Sequence, residues 1–533
     1  MRTIWNIVIR NARKKSVIIL SFILIQLFAI HRIFNRYNMI KNKGIYERWD
    51  KRIDYNFLNK IIHLDLKGAP LSLYYLAQII PIFSKLGVTG ILIEYEDMFP
   101  YIGDIEIISR DDCYKEDDIL QILNITKNHN IEIIPLVQTF GHLEFVLKHP
   151  QFSHLREVPE FSDTICPSKG ESFQLIKKMI DQIVQLHPGI KSLHIGADEV
   201  YHMGKCQLCS KLVYPDDNRQ IGGQFKDLSI SLDEIFLNHI LKIVRYMEAS
   251  YPHIKILIWD DMFRHIPRDV LIRSKLGDKI ELVMWNYRPN ILQDIPPHIF
   301  DKNFATFRHI WAASAFKGAT GENVQITDIS YHLDNNYDWI NVMYQKDLPG
   351  KETDRVKGII VTGWQRYNHF RPLCELMPSG LPSLMACLIL LTHNKFDRKQ
   401  HEDLSSQITD SRYRQSRLIP NLNPFDFNQS RLINIAEGLI FPGHEIYSMV
   451  RSNYNLAYSL MALNTRIHEN KVEDVDEFKS LLYNIKDEFS RQKSYINGPE
   501  FSKYFHSVST GLEWIETFIQ PYLDRIDHIS SIL

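Results

Sequence analysis

Short apolar runs of strand length recur along residues 55–398, and longer stretches with apolar residues at helical spacing separate them. The runs are Ile61–Asp65, Gly90–Tyr95, Glu132–Val137, Ser192–Asp198, Lys255–Trp259, Glu281–Trp285, roughly Arg308–Ala313, and Gly358–Thr362. Ser72–Leu86, Asp117–Asn128, Ser172–Leu186 and Asp233–Ser250 read as helices, with turn signals such as Leu86-Gly87 and His187-Pro188-Gly189 behind them. Strict alternation of strand and helix predicts a parallel sheet, and eight units favour a closed (β/α)₈ TIM barrel of the α/β class over an open doubly wound sheet. No GxGxxG follows the first strand, which argues against a dinucleotide site.

The pattern changes at both ends. Near Arg398 the chain turns polar over Gln400–Gln415 and gains proline and asparagine over Pro420–Asn428; from Arg431 helical spacing returns. Residues 399–533 are therefore expected to form a linker and a small C-terminal helical domain packed on a barrel at 55–398. At the other end, Val17–Ile30 is uncharged and follows Arg10, Arg13, Lys14 and Lys15. A cationic flank followed by an apolar run predicts a cytosolic tail at 1–16, an apolar signal-anchor at 17–34 and a linker at 35–54. The protein would then be a single-pass type II membrane protein with a lumenal or extracellular catalytic domain; a cleaved signal, giving a secreted protein, and a buried or surface helix are the alternatives. With 62 basic against 63 acidic residues the net charge is -1, so nucleic acid is not an expected partner. Six cysteines in 533 residues are too few for a disulfide-built fold. Cys206-Gln207-Leu208-Cys209 could be half of a zinc site, but the sequence offers no second close pair, so free thiols or a local disulfide are expected and no metal.

The residues that follow the strands are polar and aromatic, and in a barrel they meet at one rim. They include Asp65-Leu66-Lys67-Gly68, Glu94-Tyr95-Glu96-Asp97, Thr139-Phe140-Gly141-His142, Asp198-Glu199, Trp259-Asp260-Asp261, Trp285-Asn286-Tyr287, Ser314–Lys317 and Gly363-Trp364-Gln365-Arg366. Strand alternation would put Leu193, Ile195 and Ala197 on one face and His194, Gly196 and Asp198 on the other, with Glu199 where the chain turns. Two carboxylates at the C-terminal end of a barrel strand suit sugar hydrolysis; a pair that merely caps the next helix is the plainer reading. Tryptophans at three strand ends favour the sugar, since a flat apolar ring stacks on its C–H face.

His194-Ile195-Gly196-Ala197-Asp198-Glu199 resembles the H-x-G-[GA]-D-E signature of the β-N-acetylhexosaminidases, family 20 of the glycoside hydrolases. Leu64–Pro70, Gln138–Glu144, Ala313–Ala319 and Gly363–Tyr367 are similar to the strand-end motifs of its hexosaminidase D branch, and the resemblance spans about Tyr55 to Leu390. It implies an exo-β-N-acetylhexosaminidase that removes terminal β-linked GalNAc or GlcNAc without a cofactor. In the substrate-assisted retaining mechanism it implies, the sugar's own acetamido oxygen attacks the anomeric carbon. Glu199 would be the general acid and base, with a raised pKa, and Asp198 would stay ionised against the acetamido N–H. Tyr287 would donate to the acetamido oxygen, Trp364, Trp285 and Trp259 would wall the pocket, His142 would support the carboxylates, and Asp65 and Glu375 would hold sugar hydroxyls. A glycan is the expected partner, and a homodimer stays open. Two features depart from the wider family: Lys67 stands where its lysosomal and many bacterial members carry an arginine, and no small α/β domain has room ahead of the barrel. The competing readings are a retaining glycosidase with a protein nucleophile, Asp261 or Glu96, and a carbohydrate-binding protein without turnover.

Overall fold

The computed structural model describes residues 57–213, 220–221, 224–225, 230–344, 355–393, 395, 442–469, 472 and 474–533. The tail, apolar run and linker expected at 1–16, 17–34 and 35–54, and the polar stretch expected at 400–428, lie outside the described residues. Among the described residues no helix is long and apolar enough to cross a membrane.

Eight parallel strands close into a barrel: β1 (Asn59–Asp65), β2 (Gly90–Glu94), β3 (Glu132–Leu136), β4 (Ser192–His194), β5 (Lys255–Trp259), β6 (Ile280–Trp285), β7 (His309–Lys317) and β8 (Val356–Gly363). A helix follows each: α1 (Leu73–Lys85), α2 (Glu116–Asn128), α3 (Gly170–Leu186), α4 (Leu232–Ser250), α5 (Arg268–Ser274), α6 (Pro297–Thr306), α7 (Ile329–Tyr344) and α8 (Met377–His393). Local sequence explains the starts: Ser72 caps α1 by accepting from Tyr75 N, and Ser231 with Glu234 forms a capping box on α4. In α3 the buried Leu175, Ile176, Met179, Ile180 and Ile183 keep three- and four-residue spacing, so one stripe faces the barrel.

Alternation sorts the strand residues into two layers. Ile61, Leu92, Ile134, Leu257, Val283, Trp311 and Ile360 fill the barrel interior, whereas Ile62, Ile91, Ile93, Ile133 and Leu193 pack outward against the helices. The interior also holds paired polar groups: Trp311 Nε1 donates to Glu281 Oε2 at 2.7 Å, and His63 Nε2 lies 3.0 Å from Glu94 Oε2. β7 runs four residues past its expected end. Ser314 and Lys317 read as loop residues, but Ser314 Oγ bonds Asn336 and Lys317 Nζ bonds Gln365 Oε1 at 2.7 Å, which lets both stay buried in the strand.

Beyond the barrel, α9 (His444–His468), α10 (Val475–Ile496), α11 (Val508–Trp514) and α12 (Gln520–Ile532), with a π-turn at Ile515–Ile519, form the helical region. It is joined to the loop after β1: Ser72 N donates to Tyr504 O, His506 N to Pro70 O and Thr510 Oγ1 to Gly68 O, and Arg366 pairs with Glu513. The C-terminal helices therefore brace the barrel's catalytic end.

Closure depends on Gly358, paired with Asn59 where β8 meets β1. A Cβ there would overlap the Asn59 carbonyl and lie 2.7 Å from the Trp311 ring. Gly358→Ala should lower stability by about 1–3 kcal/mol, the usual cost of overpacking, visible as a lower midpoint in chemical or thermal unfolding. An unchanged midpoint would place the barrel seam elsewhere.

Candidate active site

The expected strand Ser192–Asp198 ends at His194, because Gly196, Ala197 and Glu199 adopt left-handed φ values of 60°, 66° and 50°. Such angles are unfavourable for alanine and glutamate and persist only where neighbours enforce them. Here Thr139 Oγ1 donates to Ile195 O at 2.7 Å, Ala197 N donates to Gln138 Oε1 at 3.3 Å, and Glu199 N donates to Asp261 Oδ2 at 2.8 Å. Gly141 packs so closely beneath the turn that any Cβ would overlap the Asp198 carbonyl. Leu193 and His194 alternate as expected, but Asp198 is placed by this turn and not by continuing the pleat.

The turn delivers Asp198 and Glu199 to one imidazole. His142 Nε2 lies 3.5 Å from Asp198 Oδ2 and 3.3 Å from Glu199 Oε2. Burial disfavours the His142 cation, yet Asp198, Glu199 and Glu144 together raise its pKa well above the ordinary histidine value. Asp198 is 6% exposed, and burial, with help from Asp261, Glu199 and Glu94, lifts its carboxyl to about 7 against the opposing charge of His142. At Glu199, burial pushes upward but is outweighed by the His142 hydrogen bond and charge and by Tyr201, whose hydroxyl donates to Oε1 at 2.7 Å. Its pKa therefore lies below the usual carboxylate value. The expectation of a raised Glu199 and a readily ionised Asp198 is reversed in the free pocket, because Asp198 is the more enclosed of the two and Glu199 has the closer donors.

Four aromatic residues form a continuous chain beside this group. Trp259 and Trp364 have ring centroids 6.4 Å apart, Trp364 and Tyr287 6.2 Å, and Tyr287 and Trp285 5.1 Å in a stacked pair. Trp285 Nε1 donates to Asp261 Oδ1 at 3.2 Å, so one carboxylate fixes both the Glu199 backbone and the aromatic wall. Burial raises the Tyr287 hydroxyl pKa, reinforced by the nearby charges of Asp198 and Glu199 and opposed by hydrogen bonds to Thr362 and Trp364, so the phenol stays protonated. Asp198 Oδ1 and Trp259 Nε1 are buried without a hydrogen-bond partner among the described residues.

Asp65 and Glu375 are both enclosed by protein. Both Asp65 oxygens are engaged: Lys67 N donates to Oδ1 at 3.1 Å, and Gln365 N and Lys67 Nζ reach Oδ2 at 2.7 and 2.9 Å. Glu375 is fully buried and accepts from Gly318 N. Asp65 thus ties the end of β1 to the segment after β8, whereas Glu375 accepts through Oε2 alone and its Oε1 is buried without a hydrogen-bond partner among the described residues. Lys67 bridges toward Glu96 at 3.6 Å and sits 5.3 Å over the Trp364 ring. The positioning roles of Gln138, Gly141, Tyr201 and Asp261 escaped the sequence reading, although each is or adjoins a residue it singled out. Among the described residues the one group with metal-ligand spacing is Glu157, Cys166, Cys206 and Cys209, none of which belongs to this pocket.

Among solved structures, the chain is similar to the chitobiase of Flavobacterium johnsoniae with a TM-score of 0.49 and 12% identity over 89% of this chain and 71% of that one. Residues 94–370 match the catalytic domain of glycosyl hydrolase family 20. Hexosaminidase D of Bos taurus is 43% identical over 338 residues, covering 63% of this chain and 93% of its own length. Hexosaminidase D of Homo sapiens is 41% identical over 353 residues, or 66% and 68% of the two chains. The chain thus belongs to family 20 of the glycosyl hydrolases, as a β-N-acetylhexosaminidase of the hexosaminidase D type.

Proposed function

We propose that the pocket removes terminal β-linked N-acetylhexosamine by substrate-assisted hydrolysis with retention. The observation that carries this reading is the placement of Asp198 and Glu199 as neighbours on one turn, sharing His142 and facing Tyr287. Adjacent carboxylates suit a mechanism in which only one exchanges a proton with the leaving oxygen and the nucleophile comes from the substrate. Asp198 accepts the acetamido N–H through its unpartnered Oδ1 and opposes the developing positive charge; Tyr287 donates to the acetamido oxygen. That oxygen attacks the anomeric carbon while Glu199 protonates the departing glycosidic oxygen, which leaves as an alcohol and gives an oxazolinium ion. Glu199, now a carboxylate, takes a proton from water as the water oxygen attacks the same carbon, reopening the ring. Trp259, Trp364 and Trp285 wall the acetamido methyl group and exclude bulk water.

The reversed acidities fit this chemistry. Below about pH 7 the pair holds one proton between it, and in the free pocket Asp198, the carboxyl raised by burial, is the one that takes it. An acetamido N–H bonded to Asp198 favours its ionised form and moves the proton to Glu199, so substrate binding sets the reactive state. The rival nucleophiles are poorly placed. Asp261 spends both oxygens on Glu199 N and Trp285 Nε1, and Glu96 is buried, raised in pKa by that burial, and bonded to His369 Nε2 at 2.5 Å. The apolar run at 17–34 supports a signal-anchor that carries this domain on the lumenal side of a membrane.

Glu199→Gln should lower turnover by about 10² to 10⁴ with little change in substrate binding, and the loss should shrink for nitrophenyl leaving groups. Steady-state kinetics on β-GlcNAc and β-GalNAc glycosides, with β-Glc and β-Gal as controls, checks this; near-wild-type turnover of a natural glycoside would remove Glu199 from the role.

The reactive state carries one proton on the pair, so kcat/KM should fall as pH rises through about 7, where the last proton leaves. Removing the neighbouring cation raises a carboxyl pKa. His142→Gln should therefore move this alkaline limb to higher pH, and a limb that stays put would detach His142 from the pair.

Full-length protein in membranes should resist extraction by salt or carbonate and yield to detergent, while a chain lacking residues 1–34 should be released as soluble enzyme. Release by salt alone would count against a spanning segment.

A further inference from the structure

The hairpin Arg156–Val158/Phe161–Ile165 and the short helix Gln207–Val213 bring together four side chains that the hydrolysis does not use. Cys166 Sγ lies 3.3 Å from Cys206 Sγ and 3.7 Å from Cys209 Sγ, and Cys209 Sγ lies 3.5 Å from Glu157 Oε2. All four potential ligand atoms fall within 4.8 Å of one another. Thiolates on one tetrahedral zinc ion, each about 2.3 Å from the metal, stand about 3.8 Å apart, and a thiolate and a carboxylate oxygen about 3.5 Å. The observed spacings are close to that set.

Burial sharpens the case. Glu157 is 1% exposed, Cys166 and Cys209 are fully buried, and among the described residues Glu157 makes no ion pair with lysine, arginine or histidine. A carboxylate so enclosed is costly unless something compensates its charge. Its Oε1 already accepts from Cys206 N at 3.0 Å, which aims Oε2 at the sulfurs. Cys209 N donates to Cys206 Sγ at 3.3 Å, which fixes that sulfur beside the other two. A single disulfide would consume two of the sulfurs and leave the third thiol and Glu157 uncompensated, whereas one divalent cation uses all four groups. A cleft of about 880 Å³ lined by Glu157, Lys169, His202, Lys205 and Cys206 gives an ion a route in.

We infer that Glu157, Cys166, Cys206 and Cys209 bind one structural zinc ion that ties the hairpin to the segment following the catalytic turn. Three thiols lose their protons to solvent on binding, and no redox change is involved. The knot lies outside the pocket but holds its rim. On the same hairpin, Asp163 bonds His202 at 2.8 Å and accepts Leu143 N at 2.9 Å, while Ile165 N donates to Phe140 O, so the hairpin supports the loop that carries His142. Zinc is thus a positioning element for the rim and takes no part in the chemistry.

The test is metal analysis of the full chain, expressed with zinc and purified without chelator. About one zinc per chain is expected, falling to none in Cys209→Ser and in Cys166→Ser and remaining unchanged in Cys113→Ser, whose thiol lies outside the cluster. Glu157→Gln should bind zinc more weakly in competition with a chromogenic chelator. Should the cysteine variants fail to fold, cobalt added to the chelator-treated wild-type chain decides: a thiolate-to-cobalt charge-transfer band in the near ultraviolet, abolished by stoichiometric zinc, supports the site. Metal-free protein with no cobalt band, an intact-mass deficit showing a disulfide among these cysteines in protein purified without reductant, or zinc retained by the double variant Cys166→Ser/Cys209→Ser would each overturn it.

Discussion

Two neighbouring carboxylates, one buried and one half-buried, share one imidazolium, and the architecture around them is arranged to tolerate it. Side by side, Asp198 and Glu199 repel, and burial penalises each charge. His142 relieves both at 3.5 and 3.3 Å, but one cation cannot fully offset two anions, so the pair retains a proton. That retained proton is what a hydrolase needs at the leaving oxygen. The electrostatic conflict is therefore the source of the reactivity, and the left-handed residues of the turn hold the conflict in place.

The support extends inward along the barrel axis. Gln138 accepts from the Ala197 amide and donates through Nε2 to Glu94 Oε1 at 3.2 Å, and Glu94 in turn meets His63. Lys67 and His63 hold the buried Glu94 carboxyl well below its usual range against the cost of burial, so this glutamate is a fixed anion beneath the pocket and contributes to the raised Asp198. On the opposite side, Asp261 binds the Glu199 amide and the Trp285 indole. Buried polar groups of this kind add little to stability on balance, and their value lies in fixing geometry. The C-terminal helices complete the frame by gripping the β1 loop at Gly68 and Pro70.

Most of the barrel was readable because parallel strands buried on both faces are continuous apolar runs, and such runs are hard to mistake when they alternate with amphipathic helices. Legibility failed where tertiary contacts override local pattern. The β4 end is cut short by backbone angles that only Gly141, Thr139 and Asp261 make tolerable, and those partners come from other strands. β7 runs long because Ser314 and Lys317 find buried partners on α7 and after β8. Backbone amides from other strand ends reach Asp65 Oδ2 and Glu375 Oε2, contacts that sequence does not announce. The thiol cluster was half visible: Cys206 and Cys209 stand three apart, whereas Cys166 and Glu157 are brought by the hairpin from about forty to fifty residues upstream.

The central claim is that the pocket positions a nucleophile belonging to the substrate. Its most direct test is turnover of β-glycosides whose 2-acetamido group carries zero, one, two or three fluorines, since fluorine withdraws electrons from the carbonyl oxygen while scarcely altering its fit between Asp198 and Tyr287. A steep, monotonic fall in turnover along the series, with the plain 2-hydroxy glycoside inert, is the expected result. A flat series, or rapid hydrolysis of the 2-hydroxy glycoside, would contradict the account and return the nucleophile to a protein carboxylate.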